Sequence, residues 1–126
     1  MNILFWVLQV IIAFFCIAGA MWRFKNFDKA AQGVPSIRAL SRRTWNAINA
    51  FEIICSVGLI VPMALGWMPV LTPIAATLLA AEHFAMTGWH MKFFGFKFRA
   101  ANPAAWSVSL GAASALLAVG RFCCAG

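Results

Sequence analysis

Glu52 is the only charged residue between Arg43 and Glu82, and it lies inside an apolar run, Ala47-Ile48-Asn49-Ala50-Phe51-Glu52-Ile53-Ile54-Cys55-Ser56-Val57-Gly58-Leu59-Ile60-Val61-Pro62. A charged side chain at the centre of a membrane helix costs roughly 2.5–3.5 kcal/mol, so such a carboxylate faces a protein interior, pairs with a partner, or keeps its proton. Asn49, Glu52 and Ser56 recur at i, i+3 and i+7, which puts them on one stripe of a helix. Further along, Ala76, Ala80, His83, Thr87 and His90 share a face of another apolar segment. A carboxylate and an imidazole that can meet are able to hold and pass protons, or to fix a polar group on a ligand. Arg23, at the end of the first apolar segment, is long enough to snorkel toward Glu52. Glu52, His83, Asn49 and Arg23 are therefore expected to form one polar cluster. It reads either as a latch that fixes helix register or as a proton-handling or ligand-binding site.

Two further residues are candidates for that site. Glu82 is about 100° around the helix from His83, so the two are not expected to share a face. His90 falls near the membrane interface, where it would meet headgroups or cap a loop. No metal is expected. His83 and His90 lie on one helix about 10 Å apart, unsuited to holding one haem, and the chain has no paired Glu-x-x-His motifs and no C-x-x-C. Cys16 and Cys55 read as small apolar packing residues. Cys123-Cys124-Ala125-Gly126 loosely matches a prenylation box.

These residues need apolar helices to position them. The chain has 126 residues, 63% hydrophobic and only 10% charged, with a mean hydropathy of +0.86. That composition predicts one all-α integral membrane domain over residues 1–126, a four-helix bundle with spans at about 3–22, 45–65, 70–91 and 104–120. The first stretch lacks a charged leader region and is expected to remain in the mature protein as a span. Gln9, Ala13, Cys16 and Ala20 on the first span, and Ser107, Gly111, Ser114 and Ala118 on the fourth, form small-residue stripes suited to close packing.

The net charge of +7 follows topology and not nucleic-acid binding. Arg23, Lys25, Lys29, Arg38, Arg42 and Arg43 follow the first span, and Lys92, Lys97 and Arg99 the third. Gly66-Trp67-Met68-Pro69 is uncharged, and Arg121 alone lies on the opposite side. The positive-inside rule then predicts a multi-pass protein of the cell membrane with both termini on the non-cytoplasmic side. That orientation argues against prenylation, a cytoplasmic modification. Ser36 to Arg43 reads as a short interfacial helix in the first cytoplasmic loop, with Ile37 and Leu40 on one face. Phe93 to Arg99 carries the same aromatic-plus-basic interfacial chemistry.

Glu52-Ile53-Ile54-Cys55-Ser56-Val57-Gly58-Leu59-Ile60-Val61-Pro62 resembles the E-I-x-G-A-x-G-L-I-x-P second span of the DoxX-like family of small four-span membrane proteins. Leu71-Thr72-Pro73-Ile74-Ala75-Ala76 is similar to the start of that family's third span, and His90 with Lys92 to its end. Gly120-Arg121-Phe122 resembles the family's closing G-R-F, and Ala18-Gly19 followed by Arg23 its A-G-x-x-K, one residue longer and with Arg for Lys. Glu82 departs from the pattern.

The resemblance implies a fold more firmly than an activity. Related families include subunits linked to thiosulfate–quinone electron transfer and redox stress, assembly factors, and binders of sterol-like ligands. The first expectation is an accessory subunit of a quinone-linked membrane oxidoreductase, with a quinone beside Glu52 and no covalently bound cofactor. Having no flavin, haem or iron–sulfur motif, the chain would work with a cofactor-bearing partner. The alternatives are a non-catalytic structural or assembly subunit and a lipid or hydrophobic-ligand binder. Membrane lipids, and a homo-oligomer or larger membrane complex, are the expected partners.

Overall fold

A computed structural model describes residues 2–94 and 103–123. They form α1 (Asn2–Lys25), α2 (Phe27–Gly33), α3 (Pro35–Arg38), α4 (Arg42–Leu65), α5 (Leu71–Phe94) and α6 (Pro103–Cys123), with no strand among the described residues. The loop residues Gly95, Phe96, Lys97, Phe98 and Arg99, and Cys124, lie outside them.

Local chemistry sets the helix ends. Ser41 caps α4, its hydroxyl accepting from the Thr44 N–H at 3.2 Å, as N-cap serines do. Gly66 closes α4 in the left-handed conformation at φ 66°, where a glycine avoids the Cβ penalty. Proline opens α6 at Pro103, where its missing N–H costs nothing.

Three helices are long and apolar enough to cross a membrane by length and composition: Ile3–Lys25, Arg42–Leu65 and Pro103–Cys123. That differs from the four spans read from sequence. The helix α5 has 24 residues, about 36 Å at 1.5 Å per residue, but Glu82, His83, Thr87 and His90 dilute its apolar character. All four long helices also run beyond the expected spans. Arg23 and Lys25 complete the last turn of α1, where cations face the negative end of the helix dipole. The expected interfacial helix from Ser36 to Arg43 is instead the one-turn α3, preceded by α2, because Ser41 breaks the chain to cap α4.

Packing is cyclic: α1 lies on α4, α4 on α5, α5 on α6, and α6 back on α1. Each helix places one fully buried aliphatic residue at the centre: Ile12, Leu59, Leu79 and Leu117. The small-residue stripes face inward as their spacing requires, with Gln9, Ala13, Cys16 and Ala20, and Ser107, Gly111, Ser114 and Ala118, all buried. A Cβ on Gly111 would stand 3.0 Å from the Phe84 ring. That contact is what lets α5 and α6 approach so closely.

Polar residues flank the apolar centre on both sides. Toward the chain termini, Arg121 Nε donates to Gln9 Oε1 at 2.7 Å, and Gln9 Nε2 donates to the Leu59 carbonyl at 2.6 Å. The charge pattern alone places Arg121 on the far side and does not predict its burial. Arg121 is buried, with its guanidinium over the Phe5 and Trp6 rings at 5.3 and 5.7 Å. The other polar layer contains Glu52.

Candidate functional site

The stripe on α4 buries Asn49, Glu52 and Ser56 together. Ser56 returns its hydroxyl to the Glu52 carbonyl at 2.7 Å, which satisfies it within the helix. The Glu52 carboxylate projects toward α1 and α5. Its Oε2 is ion-paired with Arg23 Nη2, while Arg23 Nε donates to Asn49 Oδ1 at 2.9 Å. One guanidinium thus ties α1 to two successive turns of α4. It also lies over the Trp45 ring, 5.9 Å from the centroid. Asn49 Nδ2 is buried and has no hydrogen-bond partner among the described residues.

His83 faces the other carboxylate oxygen, with Nε2 3.7 Å from Glu52 Oε1. Its Nδ1 is 2.8 Å from the Leu79 carbonyl. A carbonyl can only accept, so Nδ1 carries a proton. Cys16 Sγ is 3.9 Å from that same Nε2. Sequence reading treated Cys16 as packing alone, although it already stood on the inward stripe of α1.

Glu82 corrects a further expectation. It was set off the His83 face, yet one carboxylate oxygen of Glu82, one of Glu52 and a ring nitrogen of His83 all lie within 4.8 Å of one another. The reason is the packing of α5 between α4 and α6. A helix with two neighbours has an interior wider than one stripe, and a side chain 100° off the central line still reaches it. Glu82 Oε2 is 2.9 Å from His83 Nδ1, but that nitrogen's proton is given to Leu79, and neither Glu82 oxygen makes a hydrogen bond.

His90 is neither at a headgroup nor in solvent. It is buried, its Nδ1 is 2.7 Å from Ser36 Oγ, and its ring stacks near Trp45 at 6.5 Å and 20°. Trp89 Nε1 donates to the Ser36 carbonyl at 2.9 Å, and Trp45 Nε1 to the Ile37 carbonyl at 2.8 Å. These bonds pin α3 across the end of the cluster. Ser36 and Ile37, read as surface residues of an interfacial helix, are buried under it.

Glu52, Glu82, His83, His90 and Arg23 open onto one cavity of about 380 Å³. Its remaining wall is largely apolar and aromatic, including Trp22, Trp45, Trp106, Met86 and Leu110. Five of the six residues singled out from sequence thus line it. Asn49 supports it through Arg23. The volume falls at the small end of the range for sites that enclose a small molecule.

An all-α chain with helices apolar enough for a membrane, wrapped around buried ionisable groups, has the build of a small helical membrane protein. A family model described as the DoxX-like family matches residues 7–119. The chain belongs to that family, which is one of small membrane proteins. No curated protein and no solved structure matches it.

Proposed function

We propose that the chain is a four-span membrane bundle that binds a quinone-class molecule in the cavity beside Glu52, as an accessory subunit of a quinone-linked membrane oxidoreductase. The helix α5 is the fourth span in this reading. Its polar residues Glu82, His83, Thr87 and His90 are turned to the interior or half-buried, while Ile74, Leu78, Phe84 and Met91 are exposed on its outside. An apolar exterior and a polar interior are what a span lining a polar site requires. The basic residues of the α1–α4 connection and Lys92 then lie on the cytoplasmic side, with both termini opposite.

The cavity itself carries the functional reading. A latch would need only paired side chains. Here the paired side chains face a space large enough for a ring, with tryptophans around it. Flat aromatic walls favour a flat ring, and the carboxylate and imidazole offer hydrogen-bonding partners for its oxygens. A bound quinone would supply two-electron, two-proton chemistry. Glu52 and His83 would hold protons at Oε1 and Nε2, Arg23 would orient Glu52, and the apolar wall would exclude bulk water. Electrons would come from a cofactor-bearing partner.

Titration with a short-chain ubiquinone, read by tryptophan fluorescence, tests this. Saturable quenching is expected, weakened about tenfold in Glu52→Gln through loss of a charge-assisted hydrogen bond. Quenching that rises linearly with quinone, alike in both proteins, would reflect partition into detergent alone and contradict the proposal. Equal affinity for a redox-inactive ring of the same shape would favour a hydrophobe binder.

A further inference from the structure

Two carboxylates and an imidazole converge in the interior. His83 Nδ1 is 2.8 Å from the Leu79 carbonyl and 2.9 Å from Glu82 Oε2, and Nε2 faces Glu52 Oε1 at 3.7 Å. A Glu82 oxygen joins this group within 4.8 Å. Both Glu82 oxygens are shut off from solvent and accept no hydrogen bond. Arg23 neutralises Glu52, while Glu82 has only the His83 ring beside it. In a low-dielectric interior that arrangement calls for a further positive charge.

The 3.7 Å between His83 Nε2 and Glu52 Oε1 is too long for a proton shared between those two atoms, which needs about 2.7–3.0 Å. Donors about 2.0–2.3 Å from a tetrahedral metal stand about 3.3–3.6 Å apart. The observed separations reach that value with side-chain shifts of about an ångström or less. The His83 arrangement also matches that of a metal-ligating histidine, with one nitrogen held by a backbone carbonyl and the other turned toward Glu52 and Cys16.

We propose that a carboxylate oxygen from each of Glu52 and Glu82 and a ring nitrogen of His83, all within 4.8 Å of one another, form a binding site for a borderline divalent cation of the zinc class. Cys16 Sγ, 3.9 Å from His83 Nε2, flanks this group without belonging to it. An imidazole nitrogen beside two carboxylates selects this class over magnesium or calcium. The donors come from α4 and α5, so no local sequence motif announces them. The inference rests on the polar cluster of the function proposed above but not on the quinone. The ion and a bound proton are alternatives at the same place.

The test uses the full chain purified in mild detergent without chelator, its metal content measured by mass spectrometry. The metal-free protein is then titrated with Co²⁺ and read by absorption. About one ion per chain is expected, with the visible bands of protein-bound cobalt. Glu82→Gln, which preserves shape, should weaken Co²⁺ binding about a hundredfold, at or beyond the cost of losing an outer-shell partner. Absence of both metal and cobalt bands in the unsubstituted protein would overturn the inference, and so would binding that Glu82→Gln does not alter. Quinone titration of the same samples separates the two proposals. Metal-free protein that still binds quinone refutes only the ion, and metal-bound protein that ignores quinone refutes only the ligand.

Discussion

Replacing Arg23 with Met removes the cation that ties α1 to α4 while keeping a long apolar stem. Three interactions go at once: the ion pair to Glu52, the 2.9 Å bond to Asn49 and the placement over Trp45. Breaking one side of a fully buried pair costs about 3–5 kcal/mol, chiefly by stranding the other charge. The Arg23 side chain is 22% exposed and that of Glu52 7%, so water reaches the arginine end and the expected cost falls to about 2–4 kcal/mol. Glu52→Gln should cost less, about 1–2 kcal/mol, because an amide oxygen still accepts from the guanidinium. The double substitution leaves no stranded charge on Glu52. It should be milder than the sum of the singles by about 1–3 kcal/mol. Reversible unfolding in mixed micelles, run on the metal-free protein for all four variants, measures that coupling. Additivity within about 0.5 kcal/mol would refute the pairing and place Arg23 among ordinary lipid-facing cations.

Gly111→Ala should lower stability by about 1 kcal/mol and Gly111→Leu by about 1–3 kcal/mol, read as thermal shifts in detergent, because any Cβ there meets Phe84 and His83. An unchanged melting temperature for Gly111→Leu would mean that α5 and α6 do not pack this way. Ser36→Ala removes the hydroxyl 2.7 Å from His90 and should raise amide hydrogen exchange across α2 and α3 about tenfold, leaving α4 unaffected. Exchange that stays the same would show that Trp89 and Trp45 hold α3 alone. In intact cells, a membrane-impermeant maleimide should label the exposed Cys123 from outside. Labelling only after the membrane is opened would reverse the proposed orientation.

Periodicity carried much of this architecture. Every residue of the stripes on all four long helices is buried, because inward faces recur at helical spacing whatever the solvent outside. The Arg23–Glu52–Asn49 connection was also legible, since a lone carboxylate in an apolar run needs a cation and Arg23 was within snorkelling distance. Glu82 was not. A single-stripe picture gives each helix one inside, whereas α5 touches α4 on one side and α6 on the other. Ser36 was misread as a surface residue, and the loop that His90 meets was not named, for a related reason. The fold of α3 over the cavity depends on bonds between positions 53 and 54 residues apart, and helical spacing says nothing about those. Arg121 was placed by topology and by the closing G-R-F resemblance, neither of which asks whether a buried amide such as Gln9 awaits it.

The proposal that the cavity beside Glu52 holds a quinone-class molecule is tested most directly by what travels with the protein. Native chain and Glu52→Gln, purified in parallel in mild detergent, can be extracted and the small molecules identified by mass spectrometry. A quinone-class molecule enriched on the native chain and depleted on the variant is the expected result. Identical extracts, containing only bulk lipid, would contradict a ligand site at Glu52 and leave the cluster a latch between helices.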